Sequence, residues 1–451
     1  MQSDQCEQQN ALNVLDSVIV ETTTHINDFT KSPNDFTRNR KLNAITTLKT
    51  ILNMQGNSIN AELLDAFPDI DDRMTASAFE QAKEKLNREV FDYILDEYNK
   101  TMNPALFNDK YRLFAIDGSD FTTPYNPQSQ YVVGGKTDAN KKPYCQIHAN
   151  ILYDIQNRTY QDCEFQARSS MDERTAAITM LKRLDTNDTP YIVIMDRGYD
   201  GFNMIENCNR LDNCNYVIRT KCNNVGIKEI TSLPDKEIDT EMTFRVTTSG
   251  HYFKNHKDEE PDLHLVKHFR HQYKKERSKY TTDRNWDFGV FENISCRVVK
   301  FQVAEDEWEV LVTNLNRFEF PLAKMKELYH LRWDIETSFR ELKYALGGIS
   351  FHSKKDDFLE MEILAHLIMF NAASRNIAQV NVPQVNHKYD YAIDFKMACL
   401  ITRKYFNMYC NKPYNDLLVE IIGYIVPIRP NRRDKRNMKP KSAVWFVYRV
   451  A

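Results

Sequence analysis

The sequence lacks the features that mark a membrane, secreted or zinc-finger protein. Its 451 residues contain no run of about 18 or more apolar residues, so we expect no membrane-spanning helix. Its first residues, MQSDQCEQQNALNVLDSV, lack the basic and apolar regions of a signal peptide. Nine cysteines occur without a CxxC pair, which argues against a structural zinc site. These absences predict reduced thiols and a cytoplasmic protein with no membrane partner.

The chain also lacks an overall excess of positive charge, which many DNA-binding proteins have. Its net charge is −3 and its pI is about 6.4. Two segments depart from this average: residues 429–449 are strongly basic, and residues 266–284 carry basic side chains interleaved with aromatic ones. Such segments suit phosphate contact and base stacking, although a solvated charged loop explains either segment alone.

Short apolar runs that end on an aspartate occur twice. YRLFAID (111–117) and YIVIMDRGYD (191–200) each predict a buried strand that ends near Asp117 or Asp196. The intervening segments predict further elements: a strand hairpin (144–154 and 158–167), helices (173–184 and 202–211) and a strand (215–221). This mixed order predicts an α/β domain, and ligands bind such sheets near the carboxyl ends of strands.

The flanking regions have different patterns. Residues 1–105 look helical, and TASAFEQAKEKLNREVFDYILDEYNK (75–100) predicts one capped helix. Residues 223–315 are rich in strand-like segments. We expect a long helix from Pro321 to about Leu346, and further helices follow at 356–382 and 394–424.

The long predicted helix carries a stripe of polar residues beside its apolar face. Tyr329, Arg332, Glu336 and Lys343 fall within roughly 60° of one another at about 100° per residue. The apolar stripe contains Leu331, Ile335, Phe339, Leu342 and Leu346. An i,i+4 pair between Arg332 and Glu336 on a salt-bridged flank is one explanation, but it accounts poorly for Tyr329 and Lys343.

Three carboxylates on separate elements suggest a site for divalent metal ions. Asp117 and Asp196 each have an ordinary explanation as turn residues, and Glu336 as a surface helix residue. Together they are the hard oxygen ligands that Mg²⁺ prefers, and three carboxylates could hold two ions for phosphoryl transfer. Arg332 and Lys343 would then face an anion beside the metals.

The motif Y-x2-R-x3-E-x6-K, present as Tyr329, Arg332, Glu336 and Lys343, resembles the signature of DDE transposases of bacterial insertion sequences, family four. AIDGSD around Asp117 and VIMDRGYD around Asp196 agree with that family, as does LVTNL before the helix. The resemblance covers roughly residues 75–380 and is strongest over 105–350.

The resemblance implies an α/β fold with a ribonuclease-H-like catalytic core and a β-rich insertion, flanked by N- and C-terminal helical regions. The implied division is an end-DNA-binding region (1–105), the core (106–222 and 316–350), the insertion (223–315) and a helical C-terminal region with a basic tail (351–451). The helical C-terminal region is expected to mediate pairing of two protomers.

The activity implied by the resemblance is cut-and-paste DNA transposition. Asp117, Asp196 and Glu336 would be the catalytic residues and the ligands of two Mg²⁺ ions, with Mn²⁺ as a possible substitute. The enzyme would hydrolyse the phosphodiester at the element end, and the freed 3′-hydroxyl would form a hairpin and later attack target DNA. Its partners would be double-stranded terminal inverted repeats, target DNA and a second protomer, in the nucleoid of a bacterial cell.

Further roles follow from the same resemblance. Tyr329, Arg332 and Lys343 would hold the phosphate near the cleaved end. Trp333 and Trp308 are candidates for stacking on a flipped base, although Trp308 reads equally as part of an amphipathic strand. The alternatives are a catalytically inactive DNA-binding protein derived from a transposase, and a nuclease on the same fold that hydrolyses without joining.

Overall fold

A mixed sheet of ten strands runs through the protein, with helices packed on both of its faces. The structure is a computed structural model, and it describes residues 10–38, 41–134, 142–220, 227–266, 286–305, 307–345, 347, 350–382 and 389–428. The basic segment 429–449 lies outside the described residues, as does the segment 266–284 apart from Val266.

The strands of the large sheet are β1 (Arg112–Thr123), β2 (Val132–Val133), β3 (Tyr144–Asp154), β4 (Thr159–Ala167), β5 (Tyr191–Met195), β6 (Cys214–Thr220), β7 (Ile238–Thr247), β8 (Leu263–Leu265), β9 (Phe291–Ala304) and β10 (Glu307–Thr313). A separate two-stranded ribbon contains β11 (Tyr391–Ile393) and β12 (Ile425–Pro427).

The helices are α1 (Ala11–Thr24), α2 (Ala44–Asn53), α3 (Ile59–Ala66), α4 (Ala76–Lys83), α5 (Glu89–Lys100), α6 (Glu173–Arg183), α7 (Phe202–Arg210), α8 (Lys228–Thr231), α9 (Gly250–His256), α10 (Leu322–His330), α11 (Trp333–Ala345), α12 (Asp356–Ala378), α13 (Phe395–Phe406) and α14 (Tyr414–Ile422). A short 3₁₀ turn spans Ile26–Phe29. Among the described residues, no helix combines the length and apolar content that crossing a bilayer requires.

The strand order places β1 between β3 and β5. Along the sheet the order is β2-β3-β1-β5-β6-β10-β9-β7-β8, and β4 pairs with β3. β3 pairs antiparallel with both β4 and β1, whereas β1, β5 and β6 run parallel. The predicted strands and helices between residues 111 and 221 are present, and the mixed α/β class is confirmed, but β1 continues through Asp117 to Thr123 and does not end near Asp117.

Alternation of side chains along β1 and β5 divides the core into two faces. Leu113 and Ala115 of β1 lie in one apolar cluster with residues of α10 to α13, and we call this side the α12 face. Phe114 and Ile116 lie in a second cluster with residues of α6 and α7, and we call this side the α6 face. By the same alternation, Asp117 belongs to the α12 face and Gly118 to the α6 face.

Strands β7 to β10, in the region predicted as a β-rich insertion, continue the same sheet. β10 pairs antiparallel with β6, with Val312 opposite Ile218, and β9 and β7 follow outward. The backbone hydrogen bonds of β6 are therefore satisfied on both sides, by β5 and by β10. Strands β1 to β6 and strands β7 to β10 therefore form one continuous sheet.

Two predicted helices are each broken into two. The helix expected over 75–100 is divided into α4 and α5, and Lys85 and Asn87 between them exchange backbone hydrogen bonds with Lys31 and Phe29. The helix expected from Pro321 to Leu346 is divided at Leu331 and Arg332. There the backbone makes i→i−3 hydrogen bonds, such as Arg332 N–H to Tyr329 O at 3.1 Å. The prediction of single helices was wrong because tertiary contacts outweighed helical periodicity.

Candidate active site

Asp117 and Asp196 stand side by side on neighbouring parallel strands. Ile116 is opposite Met195 in the β1–β5 register, so the two aspartates follow at the next position of each strand, where the strands lie about 4.8 Å apart. A glycine N–H donates to one oxygen of each carboxylate. Gly118 N lies 2.8 Å from Asp117 Oδ1, and Gly198 N lies 2.6 Å from Asp196 Oδ1.

Arg332 joins Asp117 to the third predicted carboxylate, Glu336. Its Nη2 lies 2.8 Å from Glu336 Oε1, and its Nη1 lies 3.7 Å from Asp117 Oδ2. Arg332 is only 6% exposed, so this ion pair does not belong to a solvated flank. The structure thus brings Glu336 to the aspartates through one shared guanidinium group.

The break between α10 and α11 places the residues around Arg332. The guanidinium carbon lies 5.0 Å from the centre of the Trp333 ring and 5.9 Å from that of the buried Tyr329 ring. The Trp333 and Tyr329 rings therefore both lie close to the Arg332 guanidinium, which also contacts the carboxylates of Asp117 and Glu336. Trp333 remains 42% exposed, at the mouth of the site.

Lys343 reaches the same strand from α11, two turns beyond Glu336. Its Nζ donates to Ser119 Oγ at 2.7 Å and to the Asp120 carbonyl at 2.8 Å, and it lies over the Phe121 ring. These contacts are on the α12 face of β1, directly after Asp117. The predicted residues Tyr329, Arg332, Glu336 and Lys343 therefore all border one surface, despite the helix break.

Trp308 lies elsewhere. It is on β10, and the Lys300 ammonium is 5.3 Å from its ring centre. Its neighbours in the alternation, Val310 and Val312, belong to the α6 face, whereas Arg332 packs on the α12 face. The structure does not bring Trp308 together with the other predicted site residues.

The electrostatics of the site favour an added cation. Burial raises the pKa of Asp117 to about 7, and the neighbouring Asp196 and Glu336 charges add to the rise. The Gly118 N–H and Arg332 lower this pKa but do not cancel the effect of burial. A positive ion between the carboxylates would reverse this penalty.

The donor set fits a divalent metal ion. Asp117, Asp196 and Glu336 offer carboxylate oxygens, the hard ligands that Mg²⁺ prefers. One oxygen of each aspartate already accepts a hydrogen bond from a glycine N–H. In the part of the chain that the structure describes, no three ligand side chains are already gathered tightly enough to hold an ion. Asp117 and Glu336 share Arg332 instead, so metal binding would require these carboxylates to turn away from the guanidinium.

A chain of charged side chains on the α6 face was missed by the sequence analysis. Asp120 accepts from His148 Nδ1 at 2.8 Å and pairs with Arg168. His148 Nε2 lies 3.1 Å from Glu173 Oε1. Burial lowers the pKa of His148, but its contacts with Asp120 and Glu173 outweigh burial and raise that pKa to about 9.

The tyrosine after Gly198 was also missed. Tyr199 is 1% exposed, and burial raises its pKa, with a further contribution from Asp117, Glu173 and Asp196. No sequence signal separates Glu173 from other glutamates at helix starts. Tyr199 could have been suspected, since it lies three residues after Asp196.

Comparison with known proteins identifies the class. The family model described as "Transposase DDE domain" matches residues 108–372, which include Asp117, Asp196 and Glu336. No curated protein sequence matches the chain. A solved structure described as the cryo-EM structure of a piggyBac transposase synaptic complex with hairpin DNA is similar with a TM-score of 0.43 and 11% identity, covering 95% of this chain and 87% of that chain.

The chain belongs to the family of transposase DDE domains, because the matched region spans more than half of its residues. The expectation of a DDE transposase is confirmed at this level. Proteins of this family generally use divalent metal ions, which agrees with the carboxylate donor set described above.

Proposed function

We propose that this transposase catalyses cut-and-paste transposition of a bacterial insertion sequence of family four, with Asp117, Asp196 and Glu336 as catalytic residues. The observation that carries the proposal is the shared contact of Arg332 with Asp117 and Glu336, beside Asp196 on the adjoining strand. Three acids distant in sequence, each on a different element, thereby converge at one end of β5.

The metal ions in this proposal are two Mg²⁺, with Mn²⁺ able to replace them. When bound, they supply Lewis-acid stabilisation of the charge that develops on the phosphoryl oxygens. The chain's own part is positional. Gly118 and Gly198 fix one oxygen of each aspartate, and the half-buried α11 presents Glu336.

Arg332, Lys343 and Tyr329 are proposed to hold the phosphate beside the cleaved bond. Once Asp117 and Glu336 turn toward a metal ion, the Arg332 guanidinium is left with its forked donors facing the site, which suits a phosphodiester. The Lys343 ammonium bonds to Ser119, which lies two residues after Asp117 on β1. Tyr329 is buried, and its ring lies against the Arg332 guanidinium. It would therefore help to hold the phosphate from the protein side of Arg332.

Trp333 is the better-placed candidate for stacking on a flipped base. It is exposed and adjacent to Arg332, so a base displaced near the cleaved phosphate would meet its ring. Trp308 would have to act on DNA that passes the α6 face.

We further propose that the core is ribonuclease-H-like, with boundaries at 106–222 and 316–350. Its support is the run of antiparallel β4, β3 and β1 followed by parallel β5 and β6, with acids on β1 and β5. The segment 223–315 would be the inserted β-rich region. Residues 1–105 are proposed to read the element end, and residues 351–451 to pair two protomers on DNA.

The proposal is tested with the DNA that flanks the gene. Matching inverted repeats in that DNA would define the substrate, and a labelled duplex carrying them would be incubated with the full chain and Mg²⁺. We expect nicking at the repeat end, then hairpin and strand-transfer products. Shifted but uncut DNA would instead indicate an inactive DNA-binding protein, and hydrolysis without joining would indicate a nuclease.

A further inference from the structure

A fourth carboxylate, Glu173, lies beside Asp196. It is the first residue of α6, whose N-cap is Asp172. Its Oε1 lies 3.1 Å from His148 Nε2. Its Oε2 lies 3.5 Å from the point where a Cβ on residue 198 would stand, and Asp196 Oδ1 lies 2.9 Å from that same point. Glu173 therefore spans the gap from His148 to Asp196.

Two glycines make this approach possible. A Cβ on residue 118 would stand 2.5 Å from His148 Nε2 and 2.9 Å from Glu173 Oε1, so any side chain there would displace the pair. Gly198 leaves the space between Asp196 and Glu173 empty of side-chain atoms. Glu173 is the carboxylate that lies close to both glycines, Oε1 near residue 118 and Oε2 near residue 198.

Contacts of neighbouring side chains fix the position of Glu173. His148 is 4% exposed, and the contact of its Nδ1 with Asp120 aims its Nε2 at Glu173. Arg174, the next residue of α6, donates its Nε–H to the Gly198 carbonyl at 3.1 Å. These contacts fix the start of α6 against the loop after β5.

Tyr199 supplies an independent sign of a missing ligand. Its hydroxyl is buried and, among the described residues, makes no hydrogen bond. It lies within electrostatic reach of Asp117, Glu173, Asp196 and Arg332. A buried hydroxyl without a partner is destabilising, and a bound ion's water or a substrate oxygen would remove that penalty.

We propose that Glu173 supplies a fourth carboxylate to the divalent-metal site, on the side of Asp196, with His148 as its positioning residue. The inference rests on the proposed function, since it assumes that Asp117, Asp196 and Glu336 hold the metal. With Oε1 on His148, Oε2 remains directed toward Asp196. Two carboxylates facing each other across a glycine repel unless a cation joins them.

The test measures metal binding directly, by titrating the full-length protein with Mn²⁺ in a calorimeter. We expect Glu173→Gln to weaken Mn²⁺ binding about tenfold or more. The glutamine keeps the size of the Glu173 side chain beside His148 Nε2, so the thermal midpoint should stay close to that of the wild type. Asp172→Asn is the matched control: it removes a charge one residue away, keeps an N-capping side chain, and should bind Mn²⁺ like the wild type.

Two further variants keep the outcomes separate. Asp196→Asn should weaken Mn²⁺ binding in every case in which the proposed function is right. If Asp196→Asn weakens binding but Glu173→Gln does not, the fourth-ligand inference is overturned and the proposed function stands. If neither weakens binding, both are overturned. Should Glu173→Gln fail to fold, Glu173→Asp takes its place. Aspartate keeps the charge, but its shorter side chain moves the carboxylate away from Asp196. Wild-type affinity of this variant for Mn²⁺ would overturn the inference.

Discussion

At the residue scale, the site depends on few side chains with separable roles. Asp196 accepts from the Gly198 N–H through Oδ1, and this same oxygen is the one nearest to Glu173, while its charge also acts on Asp117. Arg332 connects Asp117 and Glu336. Replacing Asp196 should remove metal-dependent chemistry. Replacing Arg332 should also change how the acids are arranged.

Asp196→Asn should abolish cutting while it leaves binding to the element end intact. The asparagine retains the shape and the hydrogen bond from Gly198 but loses the charge that holds a cation. We expect the cleavage rate to fall by about a thousandfold or more, equivalent to about 4 kcal/mol. Gel-shift and cleavage assays on the same labelled end would measure both properties. Cleavage at the wild-type rate would refute the metal role of Asp196.

Gly118→Ala should disturb His148 without touching the aspartate itself. The added Cβ would stand 2.5 Å from His148 Nε2, so the imidazole must move. We expect a loss of about 1–3 kcal/mol in unfolding free energy, as in other overpacked sites. Gly250→Ala is the matched control, because nothing lies within 4 Å of its added Cβ. Urea unfolding of the two variants tests this, and equal stabilities would contradict the tight approach at residue 118.

Residue-level prediction from the sequence worked where a local signal existed. Asp117 and Asp196 were identified because each follows an apolar run; the structure places Asp117 within β1 and Asp196 directly after β5. Glu173 and His148 carry no such signal. They become neighbours of Asp117 and Asp196 only through the β1–β3 register and the packing of α6 on that sheet, which spacing along the chain does not encode.

At the element scale, α12 is buried along nearly its whole length and fixes the strand β4 beside it. Asn371, which is fully buried, accepts from the Tyr160 N–H at 2.8 Å. Its amide donates to the Tyr160 carbonyl at 2.8 Å and to Asn99 at 2.9 Å. One side chain thus satisfies the backbone of an edge strand and joins α5 to α12.

Asn371→Ala should destabilise the protein strongly. The Tyr160 N–H would lose its partner inside the core, and the Tyr160 carbonyl would keep only its bond from Asn99. Each unsatisfied group costs about 1–3 kcal/mol. We therefore expect a loss of roughly 2–5 kcal/mol in unfolding free energy, read from denaturant titration. Ser17→Ala is the control, since this hydroxyl is at the surface and bonds only to its own helix. A loss no larger than that of the control would contradict the role of Asn371.

Elements were predicted well when their pattern was uninterrupted, and poorly at breaks. The stripe of Tyr329, Arg332, Glu336 and Lys343 was derived for one straight helix, yet the backbone turns at Leu331 and Arg332. The residues still border one surface, because the turn is a tight one of i→i−3 bonds. The break itself depends on burying Arg332 against two carboxylates, and no helical wheel contains that information.

At the scale of the whole molecule, a buried charge network joins the N-terminal helices to α12. Lys83 at the end of α4 is fully buried and lies 3.1 Å from Glu362. His352 contacts the same carboxylate at 3.2 Å and Glu62 at 3.5 Å. Burial alone would raise the pKa of Glu362, but Lys83 and His352 lower it to about 2.

The network predicts a pH-dependent share of stability. Because the folded-state pKa of Glu362 lies below its unfolded value of about 4.5, its contribution is fully present above pH 4.5 and is lost as pH falls toward 2. At pH 7 we expect Glu362→Gln to cost on the order of 3 kcal/mol, since it also leaves Lys83 buried without its partner. The difference from wild type should shrink steadily between pH 4.5 and 2.

The matched control for this prediction is Glu420→Gln, which removes a surface ion pair with Lys404. Exposed pairs contribute little, so its cost should be small at every pH. Denaturant unfolding at several pH values measures both variants. A Glu362→Gln cost that does not change with pH would contradict the ionised, paired state of this carboxylate.

The central claim is that Asp117, Asp196 and Glu336 gather around divalent ions. The most direct measurement is anomalous X-ray diffraction at the manganese edge from crystals of the full chain grown with Mn²⁺ and an element-end duplex. We predict anomalous peaks at coordination distance, about 2 Å, from carboxylate oxygens of all three residues, with Glu336 turned away from Arg332. Carboxylates still paired with Arg332, and no manganese peak beside Asp117 and Asp196, would contradict the account.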